Sequence, residues 1–150
     1  MQWSKLKARV KALIQPGLRD RIDFHLTSYR RSHDGADKVW ITVDGRRVFS
    51  CNHYAREHAE AEAYIAGLRG GQIKQALRDI EVHGPRDFGD AARAYLETTV
   101  REALQSTDPL VRAFALVDRR VGKRTIQARE IADTEHTLVK TFYRLRRGAT

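Results

Sequence analysis

Two short alternating segments meet at an Asp-Gly pair in Lys38-Val39-Trp40-Ile41-Thr42-Val43-Asp44-Gly45-Arg46-Arg47-Val48-Phe49-Ser50-Cys51-Asn52. Apolar and polar side chains alternate on both sides of the pair, which is typical of half-buried β-strands. Asp-Gly between such segments predicts a hairpin, because a type I′ turn needs positive φ at both of its central residues. A two-residue turn also fixes the register, so we expect Val43 to face Arg46 and Trp40 to face Phe49.

A third strand is predicted before the hairpin. In residues 21–30 apolar and polar side chains alternate, with Ile22, Phe24 and Leu26 on one side. The three segments together predict an antiparallel sheet. On the expected register, one sheet face carries Val39, Ile41, Val43 and Val48, and the other carries Trp40, Thr42, Arg47, Phe49 and Cys51.

Helical spacing dominates the rest of the chain. Residues 3–14 form an amphipathic pattern that stops at Pro16-Gly17. Asp90 and Asp108 are predicted N-caps of later helices. The helical segments predicted after Tyr54 are 55–68, 72–82, 90–105 and 109–121.

The fold class that follows is α+β. We predict an N-terminal helix, a three-stranded antiparallel sheet with a β-hairpin, and a C-terminal part of four to six helices. We expect a single domain over residues 1–150, in which the helical residues 54–150 pack on the helix and sheet of residues 1–53.

The composition limits the classes of protein to which the chain can belong. It has 150 residues with 28 Lys and Arg against 19 Asp and Glu, a net charge of +9, and the basic excess lies at the two ends. The longest apolar run, residues 113–117, is too short to cross a bilayer, and the N-terminus lacks signal-peptide character. Cys51 is the only cysteine, which excludes an intrachain disulfide and fits a reducing compartment. We expect a cytoplasmic protein with no membrane partner.

A compact basic cluster lies in the last third of the chain, where residues 119–124 hold four cations. Cations at the end of a helix interact favourably with its dipole, which is one explanation of the cluster. Arginines also suit bidentate contacts with phosphates, which is the other. The predicted polyanion-binding residues are Arg46, Arg47, Arg119, Arg120, Lys123 and Arg124. The alternative is a solvated basic surface with no partner.

Aromatic and basic side chains share one face of the predicted sheet, namely His25, Tyr29, Trp40, Arg47 and Phe49. Such a face can stack the bases of single-stranded nucleic acid. The alternative is that the N-terminal helix or the C-terminal helices cover this face. We favour the alternative, because the apolar stripe of a helix needs a surface to pack against.

Several short patterns resemble catalytic or metal-binding motifs without their spacing. Ser32-His33-Asp34 has the residue types of a hydrolase triad, but consecutive side chains diverge, and a turn is predicted there. Residues 121–125 lack the upstream glycine of a phosphate-binding loop, and Gly122 is expected to end a helix in the left-handed conformation. Cys51 is expected to be buried and unreactive. The possible metal ligands without a metal-binding spacing are His25, His33, His53, His58, Asp34 and Glu57. We predict no catalytic residue, no metal and no cofactor.

Four motifs resemble an uncharacterised family of small bacterial proteins: Trp3-Ser4-Lys5, Tyr29-Arg30-Arg31-Ser32-His33-Asp34, Trp40-Ile41-Thr42-Val43-Asp44-Gly45 and Asp118-Arg119-Arg120-Val121-Gly122-Lys123-Arg124. The resemblance runs through most of the chain and implies one continuous unit in a bacterial cytoplasm. No activity, cofactor or substrate is established for that family, so the resemblance assigns no functional residue.

These observations favour a non-enzymatic binding module whose partner is a polyanion, such as a nucleic acid, or another protein. The first alternative is a protein–protein adaptor that uses the helical part. The second is an enzyme with a site at the junction of the sheet and the helices, formed by His25, His33, Asp34 and His53. The exposed edges of a three-stranded sheet also favour a homodimer over a monomer.

Overall fold

The structure is a computed structural model that describes residues 2–28 and 37–149. Four residues named in the hypotheses above lie outside these residues: Tyr29, Ser32, His33 and Asp34. The elements in chain order are α1 (Trp3–Leu13), α2 (Pro16–Arg19), β1 (Ile22–Ser28), β2 (Asp37–Val43), β3 (Arg46–Cys51), α3 (His53–Ile65), α4 (Gly71–Asp79), α5 (Pro85–Glu97), α6 (Val100–Leu104), α7 (Pro109–Leu116), α8 (Lys123–Ala128) and α9 (Thr137–Gly148). The predicted α+β fold class is confirmed.

The three strands form one antiparallel sheet in the order β1-β2-β3. The turn between β2 and β3 consists of Asp44 and Gly45, which have φ values of 52° and 80°. Positive φ at both positions is what a type I′ turn requires. Val43 pairs with Arg46 directly after the turn, so the predicted hairpin is confirmed at this end.

The register changes further along the hairpin. Val48 is an extra residue on β3, so Phe49 pairs with Ile41 and Trp40 pairs with Ser50. One extra residue on one strand is a β-bulge, and it turns every following side chain of that strand to the opposite face. The predicted pairing of Trp40 with Phe49 is therefore wrong.

The bulge places Phe49 and Cys51 on the sheet face that packs against the helices. Both belong to the hydrophobic core, and Cys51 is buried as predicted. The other core residues of the sheet are Ile22, Phe24, Val39, Ile41 and Val43, and large core residues of the helices are Leu6, Phe88, Tyr95, Phe114 and Phe142. Trp40 is not part of this core, so the second sheet face lies outside it.

Seven helices follow the sheet in the described part of the chain, where four to six were predicted. Two of them have only five and six residues, which is too short to produce a periodic pattern. α5 begins at Pro85 and not after Asp90, because proline suits the first helical position and Asp87 accepts a hydrogen bond from the Gly84 N–H. Asp108 caps α7 as predicted. No helix among the described residues is long and apolar enough to span a membrane.

Candidate nucleic-acid interface

The loop between α7 and α8 is held in place from two sides. The Arg119 N–H donates to the Leu13 carbonyl at the end of α1 (2.7 Å), and the Gln15 N–H donates to the Val117 carbonyl (2.8 Å). From α9, the buried guanidinium of Arg146 donates to the carbonyls of Leu116, Asp118 and Val121. The loop therefore joins the ends of α1 and α9 in a fixed position.

Asp118 lies in this loop and is fully buried. Arg120 donates to both of its carboxylate oxygens, with Nη2 2.7 Å from Oδ2 and Nε 3.0 Å from Oδ1, and the Tyr95 hydroxyl donates to Oδ2. Burial disfavours the charged carboxylate, but these hydrogen bonds outweigh it and keep the pKa of Asp118 below its usual range. Arg120 is thus committed to an ion pair with a buried partner.

The other three predicted cations of the loop are available at the surface. Arg119, Lys123 and Arg124 are exposed, and none of them forms an ion pair with another described residue. We call these three residues the basic loop. Gly122 has a φ of −73° and lies at the N-cap of α8, so its predicted left-handed conformation at the end of a helix is wrong. Lys123 and Arg124 consequently lie in the first turn of α8.

The two remaining predicted residues, Arg46 and Arg47, are exposed at the beginning of β3. The guanidinium carbon of Arg47 lies 4.7 Å from the centroid of the Trp40 ring. Among the described residues, no hydrogen bond or ion pair joins these arginines to the basic loop. The six predicted residues therefore fall into two surface groups and one arginine, Arg120, that supports the loop.

The second sheet face carries polar and aromatic side chains, and we call His25, Trp40, Thr42 and Arg47 the outer face. The rings of His25 and Trp40 are nearly parallel, at 11°, with centroids 5.1 Å apart. His25 also forms a hydrogen bond between Nε2 and the Thr42 hydroxyl (2.9 Å). The described helices pack on the opposite face, so the expectation that they bury Trp40 is wrong. Phe49, which was expected here, belongs to the core.

The histidines of the hypothetical enzyme site do not meet in the part of the chain that the structure describes. His25 lies on the outer face of the sheet, whereas His53 begins α3, where its Nε2 is 3.1 Å from Glu57. His58 forms a similar pair with Glu62 (3.0 Å) one turn further along α3. No group of three or more metal-ligating side chains occurs among the described residues.

A buried histidine pair lies at the junction of the sheet and the helices, and no local pattern in the sequence predicted it. The Nε2 atoms of His83 and His136 are 2.9 Å apart, and both residues are less than one-tenth exposed. The Phe49 ring packs against both imidazoles. The only sequence signal is the position of His136 directly before the apolar start of α9, where it acts as the N-cap. The two histidines are 53 residues apart, so spacing does not connect them.

The similarity of the chain to known proteins is limited to one family. No curated protein and no solved structure matches the chain. A family model matches residues 2–147, which include both the sheet and the helical part, and this confirms the resemblance to an uncharacterised family. The chain belongs to the SF0329 protein family.

Proposed function

We propose that the protein binds a polyanion, with nucleic acid as the partner class, through the basic loop. The observation that carries this proposal is the position of Lys123 and Arg124 in the first turn of α8. The dipole of a helix disfavours cations at its N-terminus, so the electrostatics of the helix does not explain these residues. A partner with phosphate groups gives them a favourable interaction that the fold does not.

The rigidity of the loop supports the same proposal. Backbone hydrogen bonds fix Arg119 against the end of α1, and Asp118 and Arg146 fix the loop from inside. Cations on a preorganised loop lose less conformational entropy on binding than cations on a mobile tail. The net charge of +9 adds long-range attraction for a polyanion. Arg120 is proposed to act through Asp118 as a support of the loop, and Arg46 and Arg47 to extend the surface.

The expected binding is weak and independent of base sequence. The basic loop offers cations to phosphates, and contacts with phosphates carry no sequence information. We expect a dissociation constant of about 10⁻⁴ to 10⁻⁶ M at physiological salt, as for other nonspecific complexes. Binding should weaken steeply as salt rises, because each neutralised phosphate releases counterions.

The test compares two triple variants that lose the same charge. Labelled oligonucleotides are titrated at several salt concentrations with wild type and with Arg119→Ala/Lys123→Ala/Arg124→Ala. The control is Lys74→Ala/Arg86→Ala/Arg101→Ala, which removes three exposed cations from α4, α5 and α6. We expect the basic-loop variant to lose affinity and up to about 0.9 of salt slope for each lost duplex contact. The control should stay close to wild type.

Two results would contradict the proposal. If both triple variants lose affinity equally, net charge and not the basic loop determines binding. If wild type binds no oligonucleotide even at low salt, the polyanion proposal fails. A protein–protein adaptor, which uses the helical part, is then the function to test next.

A further inference from the structure

The outer face of the sheet presents an aromatic ring that the core does not use. Trp40 lies in the central strand and stands between His25 on β1 and the residues of β3. A parallel pair with centroids 5.1 Å apart is offset, so His25 covers only part of the indole. The side chain of His25 is itself about one-third exposed, at 32%. The ring system is therefore accessible from solvent, apart from the side chain of Arg47.

Arg47 is a cap on the indole that no carboxylate holds in place. Its guanidinium carbon lies 4.7 Å from the Trp40 centroid, within cation–π distance. Arg47 is exposed, and its only recorded interaction among the described residues is this contact. An exposed cation–π contact contributes only about 0.5–1 kcal/mol, so a better partner for either group can replace it.

Positive charge connects the outer face with the basic loop. Lys7 and Lys11 of α1 reach Asp23 on β1, with Nζ–Oδ1 distances of 3.0 and 3.3 Å. Two ammonium groups on one carboxylate leave a net positive charge beside His25. The same helix ends at Leu13, whose carbonyl accepts the hydrogen bond from the Arg119 N–H. A phosphate backbone that follows α1 thus meets cations along its whole length.

We propose that the outer face binds unpaired bases, which makes the protein a single-strand binder. This inference rests on the proposed function and specifies its substrate class. A base stacks on Trp40 in place of the Arg47 guanidinium, and Arg47 turns to a phosphate of the same strand. Bases have the flat faces that an indole stacks, and their phosphates suit arginine. The bases of a duplex are already stacked on each other, so a duplex reaches only the basic loop.

The experiment uses Trp40 as its own reporter. The chain has two tryptophans, so Trp3→Phe leaves Trp40 as the only indole. An oligothymidine of about 12 nucleotides, within the range of single-strand site sizes, should quench its fluorescence, whereas a duplex of equal length should not. In the wild-type background, Trp40→Ala should weaken oligothymidine binding at least about tenfold, and Trp40→Phe should retain most of the affinity. Arg47→Ala should reduce the salt slope by about 0.7 while quenching in the Trp3→Phe background persists.

The outcomes separate this inference from the proposed function. If Trp40→Ala binds oligothymidine as tightly as wild type while the basic-loop variant loses binding, the single-strand inference is wrong and the proposed function stands. If wild type binds no oligonucleotide at low salt, both are wrong. If polyglutamate quenches Trp40 as strongly as oligothymidine does, the face binds acidic chains in general and the inference is wrong. Quenching of Trp40 in the Trp3→Phe variant tests the same point without any change at the site.

Discussion

The imidazoles of His83 and His136 share one hydrogen bond inside the protein, with their Nε2 atoms 2.9 Å apart. The Leu138 N–H donates to Nδ1 of His136 (3.0 Å), so the proton of a neutral His136 lies on Nε2. His136 therefore donates to His83, and the proton of His83 lies on Nδ1. Protonation of either ring adds a proton where an acceptor is needed, so the pair is stable only in its neutral form.

This pair predicts that acid destabilises the protein well above the usual range of carboxylate titration. Burial, with a contribution from His136, lowers the pKa of His83 to about 4, and burial also lowers the pKa of His136. An unfolded histidine titrates near pH 6.5, so the unfolded state binds more protons below that value. The stability that depends on the neutral pair is complete above about pH 6.5 and is lost as the pH falls towards 4. For His83 alone we expect a loss on the order of 3 kcal/mol, measured by urea unfolding.

The control for the pH prediction is the double variant His83→Gln/His136→Gln. Its free energy of unfolding should change much less than that of wild type between pH 6.5 and 5. Asp23 and Asp118 have lowered pKa values, so they keep their charge in this window. An unchanged pH dependence in the double variant would show that other groups cause it.

The ion pair between Asp118 and Arg120 predicts an asymmetric effect on stability. Arg120→Ala leaves a buried carboxylate with only the Tyr95 hydroxyl, and removal of one partner of a buried pair costs about 3–5 kcal/mol. Asp118→Asn should cost less, because the Arg120 side chain is 41% exposed and water solvates it. The exposed Arg119→Ala should change stability by less than about 0.5 kcal/mol. Equal effects of the Arg119 and Arg120 changes in thermal unfolding would contradict this role of Arg120.

Local sequence predicted the elements of the fold better than their registration. The Asp44-Gly45 turn depends on the φ preferences of two adjacent residues, so the sequence predicts it directly. The bulge at Val48 depends on which apolar residue fits the core, and alternation does not distinguish Val48 from Phe49. Phe49 turns inward, where its ring packs against His83.

The candidate sites differ in the same way. The basic loop is visible as a run of cations in the sequence, and the structure leaves three of its four cations at the surface. The commitment of Arg120 depends on the burial of Asp118 against Tyr95, which is 23 residues away. The histidine pair likewise depends on tertiary packing alone. Contacts of this kind have no periodic signal in the chain, so composition and spacing do not predict them.

The hairpin turn predicts a specific cost for one glycine substitution. Gly45 has a φ of 80°, and a Cβ there has free space, so Gly45→Ala is opposed by backbone strain and not by a clash. We expect a loss of about 1 kcal/mol in urea unfolding. Gly71→Ala is the matched control, because Gly71 begins α4 in open space without positive φ. A loss of equal size in the control would contradict the assignment of strain to the turn.

Cys51 should be unreactive towards thiol reagents in the native protein. The residue is 2% exposed, and burial raises the pKa of its thiol well above the usual range. The thiolate is the reactive form, so a disulfide reagent should modify Cys51 only at the rate at which the protein opens. Modification should become rapid in denaturant. Rapid labelling in native buffer would show that β3 opens or that Cys51 is accessible.

The exposed apolar side chains of α3 and α4 predict where a homodimer forms. The exposed large hydrophobic residues of the described chain are Tyr54, Tyr64, Ile65 and Ile80, and all lie on α3 or directly after α4. Ile65 is 83% and Ile80 61% exposed, and burial of such surface drives association. We expect light scattering to give about twice the chain mass of 17.2 kDa for wild type and the chain mass for Ile65→Lys/Ile80→Lys. Ala8→Lys/Ala12→Lys, which adds the same charge to exposed positions of α1, should remain dimeric. A wild-type mass of one chain at high concentration would remove the dimer, and a dimeric isoleucine variant would place its interface elsewhere, for instance at a sheet edge.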